Sequence, residues 1–128
     1  LDRLVLYGES LGSGPAVYLA QNREVKAIIL EVPFASVLEI ARKSYPYVPF
    51  MEILLKDHYR NDLKIDMLQA PLFVGIAGRD HIVPPQFGKR LFELAPEPKT
   101  LKVYEDGMHN DLHLRGFIDD VVAFVDGL

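Results

Sequence analysis

The chain has 128 residues, a formal net charge of −4, and 49% hydrophobic against 25% charged residues. That composition suits one compact globular unit and excludes a disordered tail, a collagen-like chain and the broad basic footprint of a nucleic-acid binder. There is no cysteine, which excludes disulfides, thiolate nucleophiles and cysteine zinc sites, and no apolar run approaches the roughly 18 residues of a membrane span.

Leu4-Val5-Leu6-Tyr7, ended by Gly8, reads as a first strand, entered almost at once from Leu1. A chain that opens this way, and not on Met, reads as a piece of a longer protein. A helix is expected from Gly8 to about Gln21, with Pro15 placed early, where its missing N–H does least harm. Val25 to Val32 forms a second apolar run, ended by Pro33. Ser36 followed by Glu39 is a capping-box pattern that opens another helix. The stretch from Ser44 to Asp66 is irregular and aromatic, holding Tyr45, Tyr47, Phe50 and Tyr59, with a short helix expected near Pro49 to Lys56. Such an insertion reads as a lid-like or pocket-wall segment, or as ordinary core and cover. Leu72 to Ala77 is a third strand, ended by Gly78, and Leu101 to Tyr104 a shorter fourth. Between them Pro84-Pro85 opens a helix with Phe87, Leu91 and Leu94 on one face, stopped by Pro96. In the last helix Leu114, Phe117, Ile118, Val121, Val122 and Val125 follow the i, i+3, i+4, i+7 rule, with Asp119 and Asp120 on the polar face. Short continuous apolar runs suit strands buried on both faces. The alternation predicts one α/β unit over 1–128: a parallel sheet of about four strands with flanking helices and right-handed crossovers.

Gly8-Glu9-Ser10-Leu11-Gly12 is a G-x-S-x-G pattern directly after a strand and directly before a helix. A serine on such a turn is held strained, with its hydroxyl exposed. The Leu11 N–H and the helix start would face a developing oxyanion. Gly8, Gly12, Gly14 and Ala16 are expected to leave room for the turn and for close helix–sheet packing. The alternative is a glycine-rich turn that only packs a helix on a strand. The spacing fits neither a dinucleotide fingerprint nor a P-loop.

A serine hydroxyl needs a base, and the base an orienting acid. Asp80, in Gly78-Arg79-Asp80-His81, lies just beyond the third strand, and His109, in Gly107-Met108-His109-Asn110-Asp111, just beyond the fourth. Both fall at carboxyl strand ends, where α/β sheets place functional groups, as does Ser10. Against this, Asp80 reads as a turn residue and His109 as a loop histidine, as His58, His81 and His113 do. Asp106 and Asp111 are rival acids near His109. His109 and His113, at i and i+4, could face one metal from a helix, but the Glu of H-E-x-x-H is absent and no third ligand stands out; no metal is expected.

At these residues the chain resembles the α/β-hydrolase superfamily, in particular its Bem46-like branch of ABHD-type acyl hydrolases. The resemblance is carried by Leu6 to Gly14, Leu30-Glu31-Val32-Pro33-Phe34-Ala35-Ser36, Gly78 to Pro84 and Gly107 to Asp111. It covers the whole chain but only about the C-terminal half of the family's domain. It implies Ser10 as nucleophile, Asp80 as acid, His109 as base and Leu11 in the oxyanion hole. It also implies a small-molecule or lipid-like acyl ester, thioester or amide substrate, and no cofactor. The family's loop carrying the second oxyanion N–H has no counterpart here. Its strand corresponding to Leu4–Tyr7 is paired on both sides, so here that strand is expected to pair with a second copy or with a missing N-terminal half. The alternative function is a non-catalytic assembly module that retains the half-sheet.

Overall fold

A computed structural model describes residues 2–56 and 58–128; Leu1 and Asp57, the latter inside the irregular segment, lie outside the described residues. The strands are β1 (Val5–Glu9), β2 (Ala27–Glu31), β3 (Leu72–Ala77) and β4 (Lys99–Tyr104), and the α-helices are α1 (Ser13–Ala20), α2 (Val37–Ser44), α3 (Met51–Leu54), α4 (Pro85–Leu94) and α5 (Phe117–Asp126). The four strands form one parallel sheet in the order β1-β2-β3-β4. The sheet's order is thus its sequence order, and β1 and β4 are its edges.

Every residue of β2 and β3 is buried, which is why those strands read as unbroken apolar runs. On one face Val17 and Ala20 of α1 and Leu91 of α4 close over Ile28, Leu30, Leu72, Val74 and Ile76. On the other, Phe117 of α5 is fully buried against Ile29, Phe73, Ala77 and Tyr104, with its ring 6.0 Å from Phe73 and 5.9 Å from Tyr104. Burying a ring of this size contributes roughly 1.5–3 kcal/mol.

Several local expectations are corrected. The first helix starts as a 3-10 turn, Ser10–Gly12, and becomes α-helical at Ser13. Leu114 sits in a separate 3-10 turn, Leu112–Arg115, and is exposed, as are Ile118 and Val122; α5 turns Phe117, Val121, Phe124 and Val125 inward. Leu94 is likewise exposed, and Gly88 and Leu91 are the buried residues of α4. An apolar stripe wider than the contact leaves its margin in water. The Ser36 cap forms as read: its hydroxyl accepts from Glu39 N–H at 3.2 Å. Among the described residues no helix is long and apolar enough to cross a membrane.

Candidate active site

The register aligns the carboxyl ends of the strands. Glu9 pairs with Glu31, and Ala77 with Tyr104. The next residues on β1 and β2, Ser10 and Val32, both take left-handed backbone conformations, with φ of +48° and +44°. Such values are unfavourable for any residue with a Cβ, and a β-branched one above all. Backbone strain of this kind clusters at functional edges. The Ser10 turn closes tightly because position 8 lacks a side chain: a Cβ on Gly8 would meet the Gly12 carbonyl oxygen at 2.6 Å and the Ala16 Cβ at 2.8 Å. Gly8 and Ala16 therefore make the close approach. Contrary to the sequence reading, a Cβ on Gly12 would meet nothing within 4 Å, and one on Gly14 would meet Tyr59, not the sheet.

Asp80 and His109 are brought together by the ends of β3 and β4. Gly78 N–H donates to the Tyr104 carbonyl (2.9 Å), Arg79 N–H to the Gly107 carbonyl (2.8 Å), and Gly107 N–H to the Tyr104 carbonyl (2.8 Å). The two loops are thereby stitched backbone to backbone, and they touch so closely that a Cβ on Gly78 would lie 2.4 Å from the Glu105 carbonyl oxygen. Asp80 Oδ1 accepts from Ile82 N–H and Val83 N–H, each at 2.8 Å. Its Oδ2 lies 2.7 Å from His109 Nδ1, with side chains only 1% and 11% exposed. An ionised carboxylate can only accept, so Nδ1 carries the hydrogen in the neutral imidazole and Nε2 keeps its lone pair.

The rival acids are engaged elsewhere. Asp106 pairs with Arg79 at 3.0 Å. Asp111 accepts two bonds from Arg115 (3.1 and 3.0 Å) and one from Met108 N–H (2.7 Å), and the Arg115 guanidinium holds its carboxyl below the usual range. His113 lies in the Leu112–Arg115 3-10 turn, so the helical i, i+4 geometry needed to aim His109 and His113 at one metal does not form. Among the described residues no hydrogen bond joins Ser10 to His109. The structure thus joins Asp80 to His109, and leaves Ser10 on the same edge without a bond to the ring.

A cavity of about 320 Å³ opens beside His109, with walls that include His81, Ile82 and Met108. A second, of about 240 Å³, shares His81 and Ile82 and is bounded by Ile40, Lys43 and Phe87. Tyr45, Tyr47 and Phe50 stand exposed, away from the walls of the cavity at His109. One pair escaped the sequence reading of the site. Glu31 is a buried carboxyl at the end of β2 that accepts the Tyr7 phenol hydrogen. Burial pushes Glu31 above its ordinary range, although the Tyr7 bond opposes this, and burial with the Glu31 contact pushes the Tyr7 phenol far up. The available signal was a charged residue ending an apolar run.

No protein-family model matches the chain. It is 40% identical over 126 residues to the protein Rv2307c of Mycobacterium tuberculosis, covering 96% of this chain and 44% of that one. It is 28% identical over 129 residues to the human alpha/beta hydrolase domain-containing protein 17B, covering 97% of this chain and 42% of that one. Its fold matches that of acetyl xylan esterase 1 from Thermoanaerobacterium with a TM-score of 0.77 at 22% identity, over 97% of this chain and 45% of the esterase. The chain belongs to the α/β-hydrolase superfamily. It spans about half of the α/β-hydrolase domain and a little under half the length of the relatives it matches. Within an α/β-hydrolase sheet, the four strands seen here are a contiguous parallel block, and the loops bearing Ser10, Asp80 and His109 all leave from its carboxyl edge.

Proposed function

We propose that this chain is the C-terminal part of a serine hydrolase domain that cleaves an acyl ester, thioester or amide. In this reading Ser10 Oγ attacks the acyl carbonyl. His109 Nε2 takes its proton and later returns it to the leaving group, while Asp80 fixes the ring and stabilises the imidazolium. The Leu11 N–H, at the first turn after β1, donates to the tetrahedral oxyanion. The observation that carries the reading is the buried Asp80–His109 pair at 2.7 Å, on the same strand edge as a serine with φ of +48°. Hydrogen bonds between nucleophile and base tighten when substrate binds, and the Ser10–His109 bond is assigned to that state. The cavity beside His109, walled by His81, Ile82 and Met108, is assigned to the acyl group, and no cofactor is required.

A second oxyanion donor has to come from chain outside these residues, and lacking one donor costs roughly 10²–10³ in rate. β1 is an edge strand with exposed Tyr7, and α5, whose Phe117 ring packs edge-on to Tyr7, exposes Ile118 and Val122. We assign this side to the upstream half of the longer domain, with antiparallel pairing to a second copy as the alternative. A monodisperse monomer of the 128 residues at micromolar concentration, with β1 open to solvent, would count against both.

The direct test is turnover of a short-chain p-nitrophenyl ester by the protein with its full domain. Ser10→Ala is expected to lower it by roughly 10⁴ or more and to abolish phosphonate labelling. Unchanged turnover would remove Ser10 from the mechanism and favour the assembly-module reading, which the exposed β1 side supports.

A further inference from the structure

Between β2 and the 3-10 turn Asn61–Leu63 the chain runs out through α2 and α3 and returns beside its point of departure. Val37 N–H donates to the His58 carbonyl (2.7 Å) and Asp62 N–H to the Ala35 carbonyl (3.1 Å). The returning stretch, residues 59–62, is thus fastened just beyond the carboxyl end of β2, the strand next to the one that carries Ser10.

Two side chains of this stretch reach α1 at consecutive residues. Asn61, fully buried, donates one amide hydrogen to Ser13 Oγ and the other to the Phe34 carbonyl, each at 3.0 Å. A carbonyl only accepts, so the amide nitrogen and not its oxygen must face Phe34. Ser13 is itself fully buried. At the next residue the Tyr59 ring fills the space that a side chain on Gly14 would take: a Cβ there would lie 2.6 Å from Tyr59 Cδ1. Tyr59 holds this place from a left-handed backbone, with φ of +44°. The Asn61 backbone is pinned as well, its N–H donating to the Tyr59 carbonyl (2.8 Å) and its carbonyl accepting from Lys64 N–H (3.0 Å).

The Ser10 turn needs outside support. Ser10 stands at φ +48°, and neither the 3-10 turn Ser10–Gly12 nor α1 has a side-chain cap of its own. Val32, just beyond β2, is strained in the same way. Such conformations persist only where the surroundings enforce them. Asn61 spans the two: it holds Ser13, three residues beyond Ser10, and Phe34, two residues beyond Val32. Both amide hydrogens are used, and an aspartate of the same shape has neither.

We propose that Asn61 is a positioning residue for Ser10, fixing its turn against the exit of β2 and so setting the approach of the Ser10 hydroxyl to His109, a role that rests on the reading of Ser10 as nucleophile. Asn61 acts through Ser13 and takes no part in the chemistry. With no bond from Ser10 to the ring, the placement of the turn decides their separation, and a misplacement of about 1 Å costs up to roughly 10²-fold in rate.

The test is kcat, KM and the rate of phosphonate labelling in the full-domain protein, at a temperature where circular dichroism shows each variant folded. Ser13→Ala is expected to lower kcat and the labelling rate about tenfold and Asn61→Ala roughly 10²-fold, with KM within about twofold of the parent. The double variant should be no slower than Asn61→Ala, because the Ser13 bond is already lost there. Asp62→Asn, which gives up the Arg60 bonds and none to α1, should lose stability and keep kcat. Parental kcat and labelling in Ser13→Ala would overturn the proposal, whether or not Asn61→Ala folds. So would losses that add in the double variant, or a fall of kcat in Asp62→Asn as large as that in Asn61→Ala. Turnover retained by Ser10→Ala would bring down the nucleophile reading and this role with it, whereas the other failures remove the role alone.

Discussion

The corner that holds Asp80 and His109 and the turn that holds Ser10 lie on one edge of one sheet, but different forces secure them. The corner belongs to β3 and β4, paired over six residues, and two further backbone hydrogen bonds, from Gly78 N–H and Arg79 N–H, join its two loops beyond the strands. Every oxygen of the Asp80 carboxylate has a partner. The Ser10 turn belongs to an edge strand, is shaped by steric closeness at Gly8, and lacks a bond to the histidine it would serve. The Asp80–His109 pair, built by neighbouring strands, is complete within these residues, whereas the proposed nucleophile, on the open side of the sheet, depends on what lies across that side.

The comparison breaks most sharply at Asp80. Asp80→Asn in the full-domain protein is expected to lower kcat by roughly 10³–10⁴ with the fold retained, because an amide no longer holds the productive tautomer. Full activity in that variant would make the corner structural only. The next largest effect is at the stitching. Gly78→Ala forces a Cβ to 2.4 Å from the Glu105 carbonyl oxygen, so thermal unfolding should show a loss of about 1–3 kcal/mol and turnover a fall of up to roughly 10²-fold from the displaced loop. Gly12→Ala, with open space around it, should stay within about 0.5 kcal/mol of the parent. A large loss there would mean the turn is under more strain than its neighbours impose.

A further effect, dependent on pH, concerns Asp62. Asp62 accepts two hydrogen bonds from Arg60, at 2.8 and 2.7 Å, and these bonds hold its carboxyl below the ordinary value of 3.8. A carboxyl whose pKa is depressed by folding stabilises the folded state above its unfolded value. That stabilisation is lost as pH falls through the lowered one. Asp62→Asn should therefore cost about 1–2 kcal/mol at neutral pH, and the difference between variant and parent should shrink as pH falls below the ordinary carboxylate range. A difference constant with pH would assign the loss to packing.

Much of this was legible in the residues, for identifiable reasons. β3 was bounded correctly because both of its faces are buried, so hydrophobicity switches off where the strand does. Ser36 and Glu39 announced a helix start because the cap is local chemistry. Asp80 and His109 could be paired because parallel strands end together. Leu94, Ile118 and Val122 were misplaced because periodicity shows a stripe, not how much of it a neighbour covers. The division of labour between Gly8 and Gly12 was hidden because it depends on Ala16, eight residues further on, returning to the turn. The missing Ser10–His109 bond was illegible for a similar reason: hydrogen-bond distance across two strands is set by tertiary packing, and no spacing encodes it.

The paired backbone contacts at Ala35–Asp62 and Val37–His58 have an evolutionary corollary. A loop that leaves and rejoins the scaffold through one doorway behaves as a cassette. Its contents can be lengthened, shortened or traded between relatives while the strands beneath keep their alignment, so new preferences can be acquired there without rebuilding the machinery below.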